Sequence, residues 1–150
     1  MEDKIIVTNR QAYRDYVILE TVEAGIELKG SEVKSLRESK ANLKDSFGHI
    51  ENKEVFLYNL HISPYDKGSY FNVEPTRIRR LLLHKNQIRR LSAAVAQKGQ
   101  TLIPLKLYFK GSFAKIELAL AKGKKLYDKR RQIKKREEEL EIKRALRKKE

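Results

Sequence analysis

The sequence predicts a mainly β domain: a small closed antiparallel barrel with flanking helices, followed by a basic C-terminal tail. Three observations predict it. Short β-branched and apolar segments are separated by tight-turn residues. The strand "EVFLYNL" has apolar residues on both faces, as in a covered sheet, and closure leaves a short chain no bare edge. The last thirty residues, from Ala121, hold fourteen Lys/Arg, six Asp/Glu and few large apolar groups, which leaves +8 and no core-facing stripe.

The elements follow in order. "NRQAYRDY" (9–16) reads as a short helix capped by Thr8 or Asn9. Residues 16–37 read as strand, with Gly25 and Gly30 at turns or bends and a bulge where Val33 and Leu36 break the two-residue period. "NK" at 52–53 reads as a hairpin turn. In the second strand Val55, Leu57 and Asn59 share one face, and Phe56, Tyr58 and Leu60 the other. Residues 64–75 form a loop. Pro75 suits a first helical turn, and Ile78, Leu81, Leu82, Ile88, Leu91 and Val95 continue at helical spacing, so inserted helical structure is expected over about 75–98. A break near "HKN" (84–86) and closure at Gly99 are expected with it. Two strands then flank a Gly111–Ser112 turn. Ile103, Leu105, Leu107 and Phe109 share one face of the first; Ala114, Ile116, Leu118 and Leu120 share one face of the second. Residues 1–121 are thus expected to form the domain and 122–150 the tail, disordered or helical.

Charge narrows the function. The chain of 150 residues carries a net charge of +14, and residues 1–120 retain +6 without the tail. Such a field attracts nucleic acid or an anionic surface. There is no cysteine, so thiolate nucleophiles, disulfides and zinc–thiolate sites are excluded. His49, His61 and His84 lack metal-pair spacing, and Gly123-Lys124-Lys125 lacks the upstream glycine and following Ser/Thr of a phosphate loop. "MEDKIIVTNRQ" has no apolar signal stretch, so a cytoplasmic location without a membrane partner is expected.

Two constellations offer chemistry. In "ELKGSEVK", Glu27 with Lys29 and Glu32 with Lys34 have the acidic-x-Lys spacing of a metal-dependent nuclease. In a chain that is 36% charged, solvated residues on a strand's polar face are the simpler reading. "TRIRRLLLHKNQIRR" places Arg77, Arg79, Arg80, Lys85, Arg89 and Arg90 beside an apolar stripe, and Tyr127 lies among tail cations. A packed face with phosphate-facing cations, and a ring able to stack on a base, together read as RNA binding.

The chain resembles the SsrA-binding protein (SmpB) family of bacterial trans-translation. The matching stretches are "NR-x-A" (9–12), "EAGI-x-L-x-GSEVKSLR" (23–37), "RRLLLHK" (79–85), "KG-x-T-x-IPLKLYFK" (98–110) and "AKGKKLYDKR" (121–130). The resemblance implies an oligonucleotide-binding (OB-like) barrel that binds the tRNA-like domain of tmRNA (SsrA RNA). It implies delivery of that RNA, with elongation factor Tu and GTP, to stalled ribosomes for rescue and peptide tagging. It implies no enzyme activity, cofactor or metal, and a monomer is expected. RNA contacts carry over to Asn9, Glu23 and Leu82, with Arg79, Arg80 and Lys85 added from the basic stretch. Tail positions acting at the decoding centre and empty mRNA channel, against small-subunit RNA, carry over to Gly123, Lys124, Lys125, Tyr127, Asp128, Lys129 and Arg130. The chain departs from the family at Val73-Glu74-Pro75, usually His-Asp-Pro, and around Ala93, usually Gly. The competing readings are a generic tRNA- or rRNA-binding protein and, behind it, a metal-dependent nuclease.

Overall fold

The computed structural model describes residues 4–65, 73–124, 140–142 and 144. The chain enters as strand β1 (Lys4–Thr8) and turns at once into helix α1 (Arg10–Asp15). Asn9 is the cap: its side-chain oxygen accepts from the Ala12 N–H at 3.3 Å, satisfying a first-turn donor. Strand β2 (Tyr16–Ile26) follows, with a bulge between Ile18 and Glu20.

The segment after β2 is not a bulged strand. Gly30–Arg37 is helix α2, and the three-residue spacing of Val33 and Leu36 is its buried stripe. Glu32 reaches back to accept from the Lys29 N–H at 2.8 Å, closing the first turn as in a capping box. Strands β3 (Ala41–Asn42), β4 (Phe47–Glu51), β5 (Glu54–Tyr58) and β6 (His61–Ile62) come next. The β4–β5 hairpin turns at Asn52 and Lys53, whose φ angles of 50° and 64° give the twist that flanking strands require. Val55 and Leu57 share the inward face. Leu60 joins them in the core instead of sharing a face with Phe56 and Tyr58, and Asn59 is exposed, because Asn59 (φ 64°) ends the alternation.

The helix expected from Pro75 starts ten residues late. Arg79–Leu82 is strand β7, pairing with β5 through Leu57↔Arg79 and Val55↔Leu81, and with β2 through Gly25↔Leu82. Pro75 lies in a turn closed by the Arg77 N–H to the Glu74 carbonyl. Helix α3 (Lys85–Lys98) begins at the expected break: the His84 N–H donates to Gln87 Oε1 at 3.0 Å, and Gly99 closes the other end with φ 64°. Of the loop expected at 64–75, residues 66–72 lie outside the described residues.

Strands β8 (Thr101–Lys110) and β9 (Phe113–Gly123) form the expected hairpin, with Gly111 at φ 63°. The pairings β8–β4–β5–β7–β2–β9 return to β8, so six strands close a ring; β1 pairs with β8 at Lys106 to Phe109, on the edge that β4 meets at Leu102. β3 and β6 pair separately. The interior is a cluster including Leu57, Leu60, Leu107, Ile116 and Leu118, all fully buried. Each such side chain contributes about 1.5–3 kcal/mol relative to exposure. One expected face is corrected here. A bulge between Pro104 and Lys106 reverses β8, so Ile103 and Leu105 pack with Ala12 of α1, Ala119 and Ala121, while Leu107 and Phe109 point into the ring.

Candidate nucleic-acid interface

The basic stretch of β7 divides by strand alternation. Arg79 points inward and is fully buried, so it faces the core rather than a phosphate. Its Nε donates to Glu32 Oε2 at 2.6 Å, its Nη1 to the Leu60 carbonyl at 2.6 Å and its Nη2 to the Pro75 carbonyl at 3.0 Å. Arg77 Nη2 takes the other Glu32 oxygen at 2.6 Å. Burial pushes the Glu32 carboxyl up, but hydrogen bonds from Arg77 and the Lys29 N–H, with the Arg79 charge, hold it below its ordinary range. This network fastens α2 to β7 and the turn before it. It also engages the acid that a nuclease centre would need for a metal. Glu27, the other candidate acid, pairs with Arg80 at 2.7 Å.

Arg80 and Leu82 point outward. Arg80 bridges Glu27 and Glu54, so its charge is largely balanced. Lys85, the first residue of α3, is exposed. Leu82 is 45% exposed although it is a large apolar residue in a strand. It lies opposite Gly25, where an added Cβ would come within 3.2 Å of the Leu82 Cβ. Of the turn or bent strand position that the sequence offered for Gly25, the structure shows a strand position held for close approach.

Glu23 stands two residues before Gly25 on the same outward face, so register brings Glu23 and Leu82 to one surface. The Tyr108 hydroxyl donates to Glu23 Oε2 at 2.5 Å, and Lys110 Nζ lies 3.5 Å from Oε1. The Tyr108 hydrogen bond is the main reason the Glu23 carboxyl sits below its ordinary pKa, with Lys110 and Lys115 helping against slight desolvation. Ile5, Tyr108, Lys115, Gly25 and Leu82 are successive partners across five neighbouring strands. The result is an outer face with lysines, one oriented carboxylate, a phenol and an exposed leucine. Phosphate, sugar or base edges, and base faces each find a matching group there. Tyr108 and Lys110 were not singled out from the sequence; the Tyr-x-Lys alternation in "LYFK" was the available signal.

Asn9 is not on this face. It is buried, its Nδ2 donates to the Pro104 carbonyl at 2.9 Å, and its backbone N–H bonds the Leu105 carbonyl at 2.7 Å. It seats α1 on the bulge of β8. At the root of the tail, Gly123 ends β9 opposite Tyr16, and Lys124 Nζ donates to the Tyr13 carbonyl at 3.0 Å. Lys125, Tyr127, Asp128, Lys129 and Arg130 lie outside the described residues, as does the rest of the tail except 140–142 and 144, which are helical.

The protein is thus of a mainly β class, a closed ring of strands with a lysine-bearing, partly apolar outer face. The family model described as "SmpB protein" matches residues 6–148. The SsrA-binding protein of Caldicellulosiruptor bescii is 65% identical over 95% of this chain and 90% of its own length. That of Carboxydothermus hydrogenoformans is 61% identical over 97% of each chain. A solved structure described as "tmRNA-SmpB: a journey to the center of the bacterial ribosome" superimposes with a TM-score of 0.67 at 57% identity, covering 78% of this chain and 82% of that one. The chain belongs to the SmpB family.

Proposed function

We propose that this protein binds the tRNA-like domain of tmRNA and brings it to stalled ribosomes for trans-translation. The observation that carries the reading is the joining of Glu23 and Leu82 on one lysine-bearing face, in a chain 65% identical to an SsrA-binding protein. We read the ring as an OB-like barrel, residues 1–121, acting on RNA through its outer surface. Glu23 accepts from base or sugar donors, Leu82 packs against exposed bases or riboses, and Lys85 meets phosphate. Arg79 supports this surface from inside, and Asn9 supports it by seating α1.

The tail, residues 122–150, enters the decoding centre and the empty mRNA channel, with Gly123, Lys124, Lys125, Tyr127, Asp128, Lys129 and Arg130 meeting small-subunit RNA. The Lys124–Tyr13 contact at its root supports a fixed point of departure. The protein acts as a cytoplasmic monomer without a cofactor. Elongation factor Tu and GTP join through the charged RNA. It catalyses no bond change; the acids of a nuclease reading are paired with arginines.

A peptide-tagging assay on stalled ribosomes tests this division of labour. Scrambling residues 123–130 at constant composition leaves RNA binding intact and abolishes tagging. Normal tagging by the scrambled protein shows that only tail charge matters, and the residue-specific roles are withdrawn.

A further inference from the structure

Helix α1 packs on the outside of β8 and β9, and a pocket of about 260 Å³ opens between it, the start of β4 and the start of β8. Ala12 and Ile103, both buried, form its apolar part. Phe47 forms a wall. Its ring stacks on Tyr58 of β5 at 5.2 Å with the planes 5° apart, and β5 lies on the side of β4 away from β8. The other face of the Phe47 ring is thus turned to the pocket. Asp15 lines the pocket from the end of α1, and Asp45 from the turn before β4. Among the described residues neither carboxylate has a hydrogen-bond or ion-pair partner. Gln11 and Asp15 are four residues apart and share one face of α1; Arg10 and Arg14, also four apart and both exposed, share the neighbouring one. Lys124 Nζ reaches the same helix at the Tyr13 carbonyl. Thr101 of the pocket is opposite Ala121, two residues before Gly123, so the site lies at the root of the tail.

We infer that this pocket takes an unpaired guanine of RNA: the base stacks on Phe47, its N1–H and 2-amino group donate to the carboxylates of Asp15 and Asp45, and its phosphate lies on Arg10 and Arg14. The inference rests on the RNA-binding reading above and adds a second site at the tail end of the domain. An ionised carboxylate only accepts, so it suits a base edge that only donates. Guanine sets two donors side by side on its Watson–Crick edge. Adenine and cytosine set an acceptor beside their amino group, and uracil flanks its single donor with two acceptors. The open face of an aromatic ring suits the face of a base. Cations on the neighbouring face of α1 suit the phosphate, while the two acids keep it out of the pocket itself. Two acids and a ring would also suit an arginine side chain. The flanking Arg10, Arg14 and Lys124, in a chain of net charge +14, disfavour a basic protein partner and favour a nucleotide.

The test titrates guanosine, inosine, adenosine and uridine monophosphates into isotope-labelled full-length protein. Amide NMR shifts are followed at Ser46, Phe47 and Thr101, with melting temperatures in parallel. The guanosine nucleotide is expected to bind most tightly, and the inosine nucleotide more weakly for want of the 2-amino group. Asp15→Asn with Asp45→Asn should weaken the guanosine nucleotide about five- to hundredfold and the uridine nucleotide little. Asparagine tolerates the φ of 61° at residue 45, so this variant keeps the backbone. Phe47→Ser should weaken every nucleotide about five- to fiftyfold, and Phe47→Tyr should bind as the parent does. The double Asp variant is then taken into binding of tRNA-like-domain RNA and into tagging on stalled ribosomes. Loss of tagging alone places the guanine in ribosomal RNA; loss of binding places it in tmRNA. Equal affinity for all four nucleotides, no shifts at these residues, or larger shifts with arginine amide than with the guanosine nucleotide overturns the inference. So does a double variant that leaves both assays unchanged. Failure of the parent in both assays removes the proposed function, whereas the nucleotide titration judges the pocket by itself.

Discussion

The Tyr108 hydroxyl donates to the Glu23 carboxylate, joining β8 to β2 across the intervening β9. One carboxylate oxygen is thereby fixed, while the other faces Lys110 at 3.5 Å. An acid on an RNA-binding face repels phosphate unless it is oriented towards donors, and Tyr108 supplies that orientation. Tyr108→Phe therefore raises the Glu23 pKa towards its ordinary value of 4.5. Side-chain carboxyl NMR titration reads the shift directly. RNA affinity falls while the melting temperature changes little. An unmoved Glu23 titration removes Tyr108 from this role.

Gly25 sets the position of Leu82. A Cβ there lies 3.2 Å from the Leu82 Cβ, so Leu82 must yield by a few tenths of an ångström. Gly25→Ala is expected to cost about 1 kcal/mol or less in stability, and Gly25→Val about 1–3 kcal/mol. Both are expected to weaken RNA binding by more than their stability loss accounts for, because they displace a residue proposed to contact RNA. Urea denaturation and gel shifts on the same preparations separate the two effects.

The Glu32–Arg79 pair is buried, with side-chain exposures of 3% and 0%. Removing one partner leaves an uncompensated charge inside, so Glu32→Ala and Arg79→Ala each destabilise by about 3–5 kcal/mol. The double variant costs clearly less than the sum of the two, because its second substitution removes a charge already orphaned. Additive losses in chemical denaturation contradict this pairing.

The same pair fixes an acid response. The folded Glu32 carboxyl lies below its ordinary 4.5, so the unfolded chain takes up the proton first. Its stabilising contribution is complete above about pH 4.5 and is lost as pH falls through the folded value. Stability measured from pH 6 downward should fall for the parent. The fall should be shallower in Glu32→Gln, which starts from lower stability. Parallel curves mean that other carboxylates govern acid unfolding.

Local signals in the sequence reached local structure. Asn9 before an amphipathic hexapeptide, Asn52-Lys53 between alternating runs and Gly111-Ser112 between apolar strands each specify a cap or turn within a few residues. Residues 79–82 were misread because Ile78, Leu81 and Leu82 continue smoothly into the genuine helical spacing of α3. What makes them a strand is pairing with residues 55–57 and 25–26. Burial of Arg79 was invisible for the same reason, since its carboxylate partner is 47 residues away. Glu23 and Leu82 were legible as separate positions through family resemblance. Their meeting, and the roles of Tyr108 and Gly25 between them, exist only in the register of the closed ring.

The most direct measurement is the equilibrium affinity of the full-length protein for tRNA-like-domain RNA, compared with Glu23→Ala, Leu82→Ala and the double variant. Melting temperatures are recorded alongside. Each single substitution should weaken binding at least fivefold, with the fold intact. The double variant should lose specific binding, leaving only a salt-sensitive residue of affinity shared with unrelated RNA. Parental affinity in the double variant, with the fold intact, would contradict the assignment of RNA recognition to this face.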